Sequence, residues 1–87
     1  RVAGDSMQDA GIYSEDILAV DRALEAKHGD VVIASVDGEL TVKTLETKPI
    51  VRLVPQNKAY QPIIIPEGSD LQTFGVVTFV LRSLRGA

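Results

Sequence analysis

The sequence predicts a mainly β fold, a small antiparallel β sandwich or partly open barrel of about seven short strands. Gly, Asp, Asn and Pro recur at short intervals, and runs rich in β-branched residues lie between them. This pattern is typical of strands joined by tight turns, and helical periodicity is nearly absent. With 87 residues, the chain is expected to form one domain over residues 1–87, built around one hydrophobic core.

The predicted strands follow the apolar runs in chain order, at residues 2–3, 17–21, 31–36, 39–46, 51–54, 62–65 and 73–81. Helical turns are expected only at residues 6–10 and 22–26. The last strand carries apolar side chains on both faces, because alternate residues of a strand point to opposite sides. We therefore expect this strand to be buried on both faces, either inside the monomer or partly against a second subunit.

Asp37-Gly38 is the most informative turn, because Asp-Gly favours the two-residue hairpin whose central residues have positive φ. A two-residue loop at this point pairs Val32 with Lys43 and puts Thr41 on the same face of the ribbon. Apolar neighbours on that face remove water from the Lys43 ammonium, so its pKa is expected to fall. The Thr41 hydroxyl is then in position to orient the amine.

Composition excludes several classes of function. A net charge of -3 does not suit a groove that neutralises phosphates, so direct nucleic-acid binding is not expected. The absence of cysteine excludes disulfides and thiolate sites, and no apolar run approaches the length of a membrane span. No metal or other cofactor is expected, because the aspartates lack the spacing of a calcium loop or carboxylate cluster: Asp16, Asp21, Asp30, Asp37 and Asp70.

Two segments carry candidate chemistry, Gly4-Asp5-Ser6-Met7 and Thr41-Val42-Lys43. A serine hydroxyl is a poor nucleophile unless a neighbouring group takes its proton, and lysine does so only when burial has made it neutral. Each segment alone is commonplace, since turns often contain serine and lysine often protects strand edges. A plain β binding module in which Ser6 and Lys43 are structural therefore stays open.

A wider set of segments occurs in a characteristic order: 4–7 (GDSM), 28–30 (HGD), 37–39 (DGE), 41–43 (TVK), Asn57, 59–60 (AY), 62–63 (PI) and 74–77 (FGVV). In order and spacing, this set resembles the UmuD-type proteins, relatives of the self-cleaving domain of the LexA repressor. The resemblance covers essentially the whole chain. It implies a LexA/UmuD-like β fold and a serine endopeptidase that cleaves its own chain.

The resemblance also assigns residues. It implies that Ser6 is the nucleophile, that Lys43 is the general base, and that the backbone amides of Asp5 and Ser6 bind the oxyanion. The Asp5 carboxylate is incidental to that role. In the family the scissile bond lies in an N-terminal arm, and this chain starts five residues before Ser6. The arm is therefore expected to lie outside the chain.

The biological setting implied is the SOS response of the bacterial cytoplasm. A RecA filament on single-stranded DNA triggers cleavage in this family, and the processed homodimer joins a UmuC-like, Y-family polymerase catalytic subunit for translesion synthesis. The alternative is the C-terminal dimerisation and autocleavage domain of a LexA-like or phage transcriptional repressor. An upstream helix-turn-helix domain would distinguish the two.

Overall fold

Six antiparallel strands form one sheet in the computed structural model, which describes residues 1–69 and 71–85. In chain order the strands are β1 (Ile17–Asp21), β2 (Val31–Val36), β3 (Glu39–Glu46), β4 (Arg52–Val54), β5 (Ile63–Ile64) and β6 (Leu71–Leu81). Their order across the sheet is β1-β6-β2-β3-β4-β5, so the last strand lies between the first two. The predicted mainly antiparallel β fold is confirmed. Asp70 lies outside the described residues.

Two predicted elements differ from the structure. Residues 2–3 do not form a strand; Val2 N–H donates to the carbonyl of Asp16 at 2.9 Å and the Val2 carbonyl accepts from Glu15 N–H at 2.8 Å. Residues 22–24 form a bend and residues 25–26 have no regular structure, where a helical turn is predicted; the Asp21 carboxylate accepts the Ala23 N–H at 2.8 Å. An aspartate that binds its own backbone two residues on favours a turn over a helix.

The remaining differences concern element ends. Of the helical turn predicted at residues 6–10, Gln8–Ala10 forms a 3-10 helix. Strands β4 and β5 are shorter than predicted by one and two residues, and β6 begins two residues earlier. No helix of the described part of the chain is long and apolar enough to cross a membrane.

The hydrophobic core has two parts. The larger cluster lies on the central strands and consists of Val32, Ala34, Leu45, Leu53 and Val76. The smaller cluster consists of Val2, Met7 and Ile12, and it packs against partly buried side chains of β1, β2 and β3. The N-terminal segment is thereby anchored to the sheet.

The β2-β3 hairpin confirms the register predicted from Asp37-Gly38. Both turn residues have positive φ, 50° and 85°, and Val32 pairs with Lys43. Strand β3 pairs with β4 only over residues 44–46. Within residues 1–69 and 71–85, therefore, the β3 edge over residues 39–43 has no strand beside it.

Strand β6 is buried only at Gly75 and Val76. Of the two alternatives for this strand, enclosure on both faces within the monomer is wrong for the described residues, because β6 extends past the core. Phe79 and Leu81 near its end keep 68% and 57% of their surface exposed. The residues that the structure describes therefore leave an apolar surface uncovered.

Candidate active site

Ser6 lies in a turn that is held on both sides. Gly4 before it has a φ of 82°, in the left-handed region that favours glycine. Met7 after it is almost fully buried, and its carbonyl accepts hydrogen bonds from Ala10 N–H and Ile12 N–H at 3.1 and 3.2 Å. The anchored backbone fixes the position from which the Ser6 side chain projects.

Lys43 reaches this turn from β3. Its Nζ donates to Ser6 Oγ at 2.9 Å, to Thr41 Oγ1 at 2.6 Å and to the Val42 carbonyl at 3.1 Å. The structure thus brings Lys43 together with Ser6, which is 37 residues away along the chain, and with Thr41, which is 2 residues away. All three acceptors of the amine are uncharged.

Burial lowers the pKa of the Lys43 ammonium, and desolvation is the cause. A lysine that gains a carboxylate partner has its charged form stabilised, whereas uncharged acceptors compensate only partly for lost water. A larger fraction of Lys43 is therefore neutral near pH 7 than of a solvated lysine. A neutral amine has a lone pair that can accept a proton from the hydroxyl 2.9 Å away.

The backbone of the turn supplies candidate donors. In the described ranges, 1–69 and 71–85, neither Asp5 N–H nor Ser6 N–H donates to a protein acceptor. Two neighbouring free amides beside a nucleophile can bind a developing oxyanion. The amides predicted for this role are thus unoccupied by other hydrogen bonds of the described chain.

A cavity of about 280 Å³ opens beside Ser6 and Lys43. Its apolar wall includes Ile33, Leu40 and Val42, and its lining includes residues 40–43 of β3, which have no strand on the side away from β2 among the described residues. A strand edge without a neighbour offers backbone donors and acceptors to an extended peptide. The cleft therefore has the shape and chemistry to hold a peptide against the serine.

Asp5 has partners that the sequence analysis did not foresee. Asn57 Nδ2 donates to the Asp5 carbonyl at 2.9 Å, and the Tyr60 hydroxyl donates to the Asp5 carboxylate. These residues lie more than 50 positions from Asp5. Local sequence carried no signal for the contacts, beyond the presence of Asn57 and Tyr60 in the motif set.

Two further polar features lie apart from Ser6. His28 Nδ1 accepts the Thr47 N–H at 2.9 Å, which joins the turn at His28 to the residue that follows β3. Arg82 binds the buried Asp16 carboxylate through two nitrogens, at 2.7 and 2.6 Å, and also donates to the Gly11 carbonyl. Among the residues that the structure describes, no group of three or more His, Cys, Asp or Glu side chains is placed to hold a metal ion.

Comparison with known families decides the classification. The family model described as Peptidase S24-like matches residues 1–78. The chain belongs to the S24-like peptidase family. The resemblance to LexA and UmuD-type proteins is thereby confirmed, since LexA repressors are among the curated proteins that this S24-like chain matches.

Three relatives illustrate the range of similarity. Protein SamA of Salmonella typhimurium is 48% identical over 98% of the chain, and protein MucA of Escherichia coli is 43% identical over 93%. The LexA repressor of Magnetococcus marinus is 43% identical over 92%. The S24-like chain covers 59%, 56% and 35% of these relatives, respectively. It therefore spans about half of SamA and MucA and about a third of this LexA.

Proposed function

We propose that the chain is a self-cleaving serine endopeptidase domain in which Ser6 is the nucleophile and Lys43 the general base. The observation that carries the proposal is the 2.9 Å contact between Lys43 Nζ and Ser6 Oγ, made by a lysine whose pKa is lowered by burial. Membership of the S24-like peptidase family supports the same reaction class.

The reaction proceeds in two halves. Neutral Lys43 takes the proton of Ser6 Oγ, which attacks the carbonyl carbon of the scissile bond. The amides of Asp5 and Ser6 bind the oxyanion, and the Lys43 ammonium returns its proton to the leaving amine as the peptide bond breaks. The acyl group stays on Ser6 Oγ as an ester. A water molecule, deprotonated by Lys43, attacks this ester, and the Lys43 ammonium returns the proton to Ser6 Oγ as the ester bond breaks.

Thr41 supports the base. Its hydroxyl lies 2.6 Å from Lys43 Nζ, and the Val42 carbonyl holds a second N–H. With its two N–H groups donated to these acceptors, the neutral amine keeps its lone pair for the Ser6 hydroxyl. The substrate is an arm of the same protein, which enters the cleft along the free edge of β3.

The biological role proposed is that of a UmuD-type accessory subunit in the SOS response of the bacterial cytoplasm. A RecA filament on single-stranded DNA triggers cleavage, and the processed homodimer joins a UmuC-like, Y-family polymerase subunit. Similarity to SamA and MucA supports this role over that of a LexA-like repressor domain, which remains the second candidate because LexA repressors are 41–44% identical. An upstream helix-turn-helix segment would favour the repressor.

The test is intact mass over time for the chain joined to its upstream arm, at neutral pH and at about pH 10, near the ordinary lysine value. Ser6→Ala and Lys43→Ala are measured in parallel. We expect loss of an N-terminal fragment from the parent, faster at high pH, and no cleavage in either variant. A parent that stays whole at every pH, or variants that cleave equally well, would leave a binding module as the better description.

A further inference from the structure

We propose that the loop over residues 56–60 is a positioning element for the nucleophile, in which Asn57 orients the Ser6 amide and Tyr60 restrains the Asp5 carboxylate. Neither residue touches the Ser6 hydroxyl in the structure; both act through Asp5. The inference rests on the proposed function, because it concerns how the turn presents its nucleophile and its oxyanion donors.

Three hydrogen bonds join this loop to residues 4–11, the segment that carries Ser6 and is called the nucleophile turn below. Asn57 Nδ2 donates to the Asp5 carbonyl, Tyr60 OH donates to the Asp5 carboxylate, and Asp9 N–H donates to the Gln56 carbonyl at 2.7 Å. The contacts lie on both sides of Ser6 along the chain. The loop therefore restrains the turn before and after the nucleophile.

The loop is itself ordered by internal contacts. Asn57 Oδ1 accepts Ala59 N–H at 2.9 Å, and the Asn57 carbonyl accepts Tyr60 N–H at 3.0 Å. The two ends of the Asn57 amide are thereby used differently, since the oxygen closes its own turn and the nitrogen reaches Asp5. The donor that reaches Asp5 comes from a side chain with a fixed orientation.

The contact with the Asp5 carbonyl matters for the oxyanion. That carbonyl and the Ser6 N–H belong to one planar peptide group. Because the peptide bond is trans, the C=O and the N–H point in opposite directions. A hydrogen bond that fixes the carbonyl direction also fixes the direction of Ser6 N–H. Oxyanion stabilisation depends on donors aimed in advance at the developing charge. Asn57 thus orients the Ser6 N–H without touching the substrate.

The contact with the Asp5 carboxylate matters for the base. Asp5 precedes Ser6, and an unrestrained carboxylate next to the nucleophile can turn towards the Lys43 ammonium and stabilise its charged form. Tyr60 holds the carboxylate on the loop, and the hydrogen bond raises the pKa of the Tyr60 phenol, which keeps it a donor. The acceptors on Lys43 Nζ consequently remain uncharged.

The other charges around Lys43 do not replace this effect. Arg1 lies at the rim of the cleft, and Glu39 and Glu46 lie at opposite ends of β3, where Glu46 pairs with Arg52. Strand β2 carries no charged residue. Asp5 is therefore the acidic residue next to the nucleophile, and the hydrogen bond from Tyr60 holds its carboxylate.

The test follows modification of Ser6 by a fluorophosphonate, which needs no upstream arm. The Ser6 Oγ–P bond forms, the P–F bond breaks, fluoride leaves and Lys43 takes the hydroxyl proton. Labelling rate is measured by intact mass from pH 6 to pH 11 for the parent chain, Tyr60→Phe, Asn57→Ala and the double variant Tyr60→Phe/Asp5→Asn. Tyr13→Phe is the matched control, because Tyr13 stacks on Arg82 and takes no part in the site.

We expect Tyr60→Phe to move the midpoint of the pH profile upward by about half a unit, since a freed carboxylate favours the lysine cation. The double variant should return the midpoint to the parent value. Asn57→Ala should lower the plateau rate about tenfold at an unchanged midpoint, because a misdirected amide stabilises the transition state less. Tyr13→Phe should match the parent.

Two results would overturn the inference while leaving the proposed function in place. One is that the parent is labelled, and that Tyr60→Phe and Asn57→Ala show the same midpoint and the same plateau rate as the parent. The other is a loss of rate in both variants that follows a loss of thermal stability and leaves both midpoints unmoved, which would make the loop a purely structural support. A parent labelled no faster than Ser6→Ala would instead refute the proposed nucleophile, and the inference with it.

Discussion

The catalytic role proposed for Lys43 and the stability of the fold make opposite demands on this residue. Its amine sits among uncharged acceptors, and burial lowers its pKa. Between the lowered folded value and the ordinary value of about 10.4, the unfolded chain binds more protons at this residue than the folded chain does. The free energy of unfolding therefore rises with pH across that window, and at neutral pH the folded state bears the cost of a desolvated charge.

Replacing Lys43 with methionine should consequently raise the Tm at pH 7, because methionine fills a similar space without a charge to desolvate. The advantage over the parent should shrink as the pH rises from the lowered folded-state pKa through about 10.4, above which the lysine is mostly neutral in both states. Thermal unfolding of both proteins at pH 7 and pH 10 measures the difference. A variant less stable than the parent at pH 7, or an advantage independent of pH, would contradict the argument.

Sequence predicted the positions of Lys43 and Thr41 better than that of Ser6. The Asp37-Gly38 turn determines the β2-β3 register, and register determines which face carries Lys43. The approach of Ser6 to Lys43 depends on packing of the N-terminal segment, which no local pattern encodes; only the resemblance implied it. Asn57 and Tyr60 reach Asp5 across more than 50 residues. Contacts between side chains that distant arise from tertiary packing and lie beyond periodicity and turn chemistry.

At the scale of elements, Gly75 allows β1 and β6 to approach closely. A Cβ at this position would lie 2.4 Å from Val20 Cγ1 and 3.1 Å from the Asp21 carbonyl. The pairing of the two strands also shifts register between Ala19 and Val20. Glycine inside a strand often marks such a close approach. At residue 75, β1 therefore packs so closely against β6 that β6 has no room for a side chain.

Gly75→Ala should destabilise the fold by about 1–3 kcal/mol, the usual cost of overpacking. For a domain of this size the Tm should fall by about 4–8 °C for each kcal/mol. Gln72→Ala is the control, because Gln72 is exposed on the same strand and its truncation leaves the β1 contact intact. Denaturant unfolding of both variants checks the prediction, and equal stabilities would show that β1 simply shifts to accommodate the methyl group.

At the scale of the whole molecule, the end of β6 and the neighbouring β1 edge expose apolar side chains that no other described part of the chain covers. Ile17, Phe79, Leu81 and Leu84 have exposed fractions of 47%, 68%, 57% and 97%. Exposed apolar groups gathered at one end of a sheet indicate an interaction surface. A second copy of the chain is the occupant that the proposed homodimer requires, and a self-complementary contact through this end satisfies it.

Phe79→Glu should therefore shift the chain from dimer to monomer, because a buried unpaired carboxylate opposes association. Sedimentation at micromolar concentration gives the molecular mass directly. Ile64→Glu is the matched control; Ile64 is 60% exposed but lies on β5, at the opposite edge of the sheet. A parent that sediments as a monomer, or a control variant that dissociates as readily as Phe79→Glu, would argue against this surface.

The connections of the nucleophile turn have a consequence for the order of synthesis. Residues 4–11 contact Lys43, then Asn57 and Tyr60, and finally Arg82, whose guanidinium reaches the Gly11 carbonyl 71 positions away. A chain leaving the ribosome thus presents Ser6 first and acquires Lys43, then residues 56–60 and finally Arg82. Such long-range contacts form late in folding. The proposed nucleophile therefore meets its proposed base and its positioning residues only after the later segments that carry them have been synthesised.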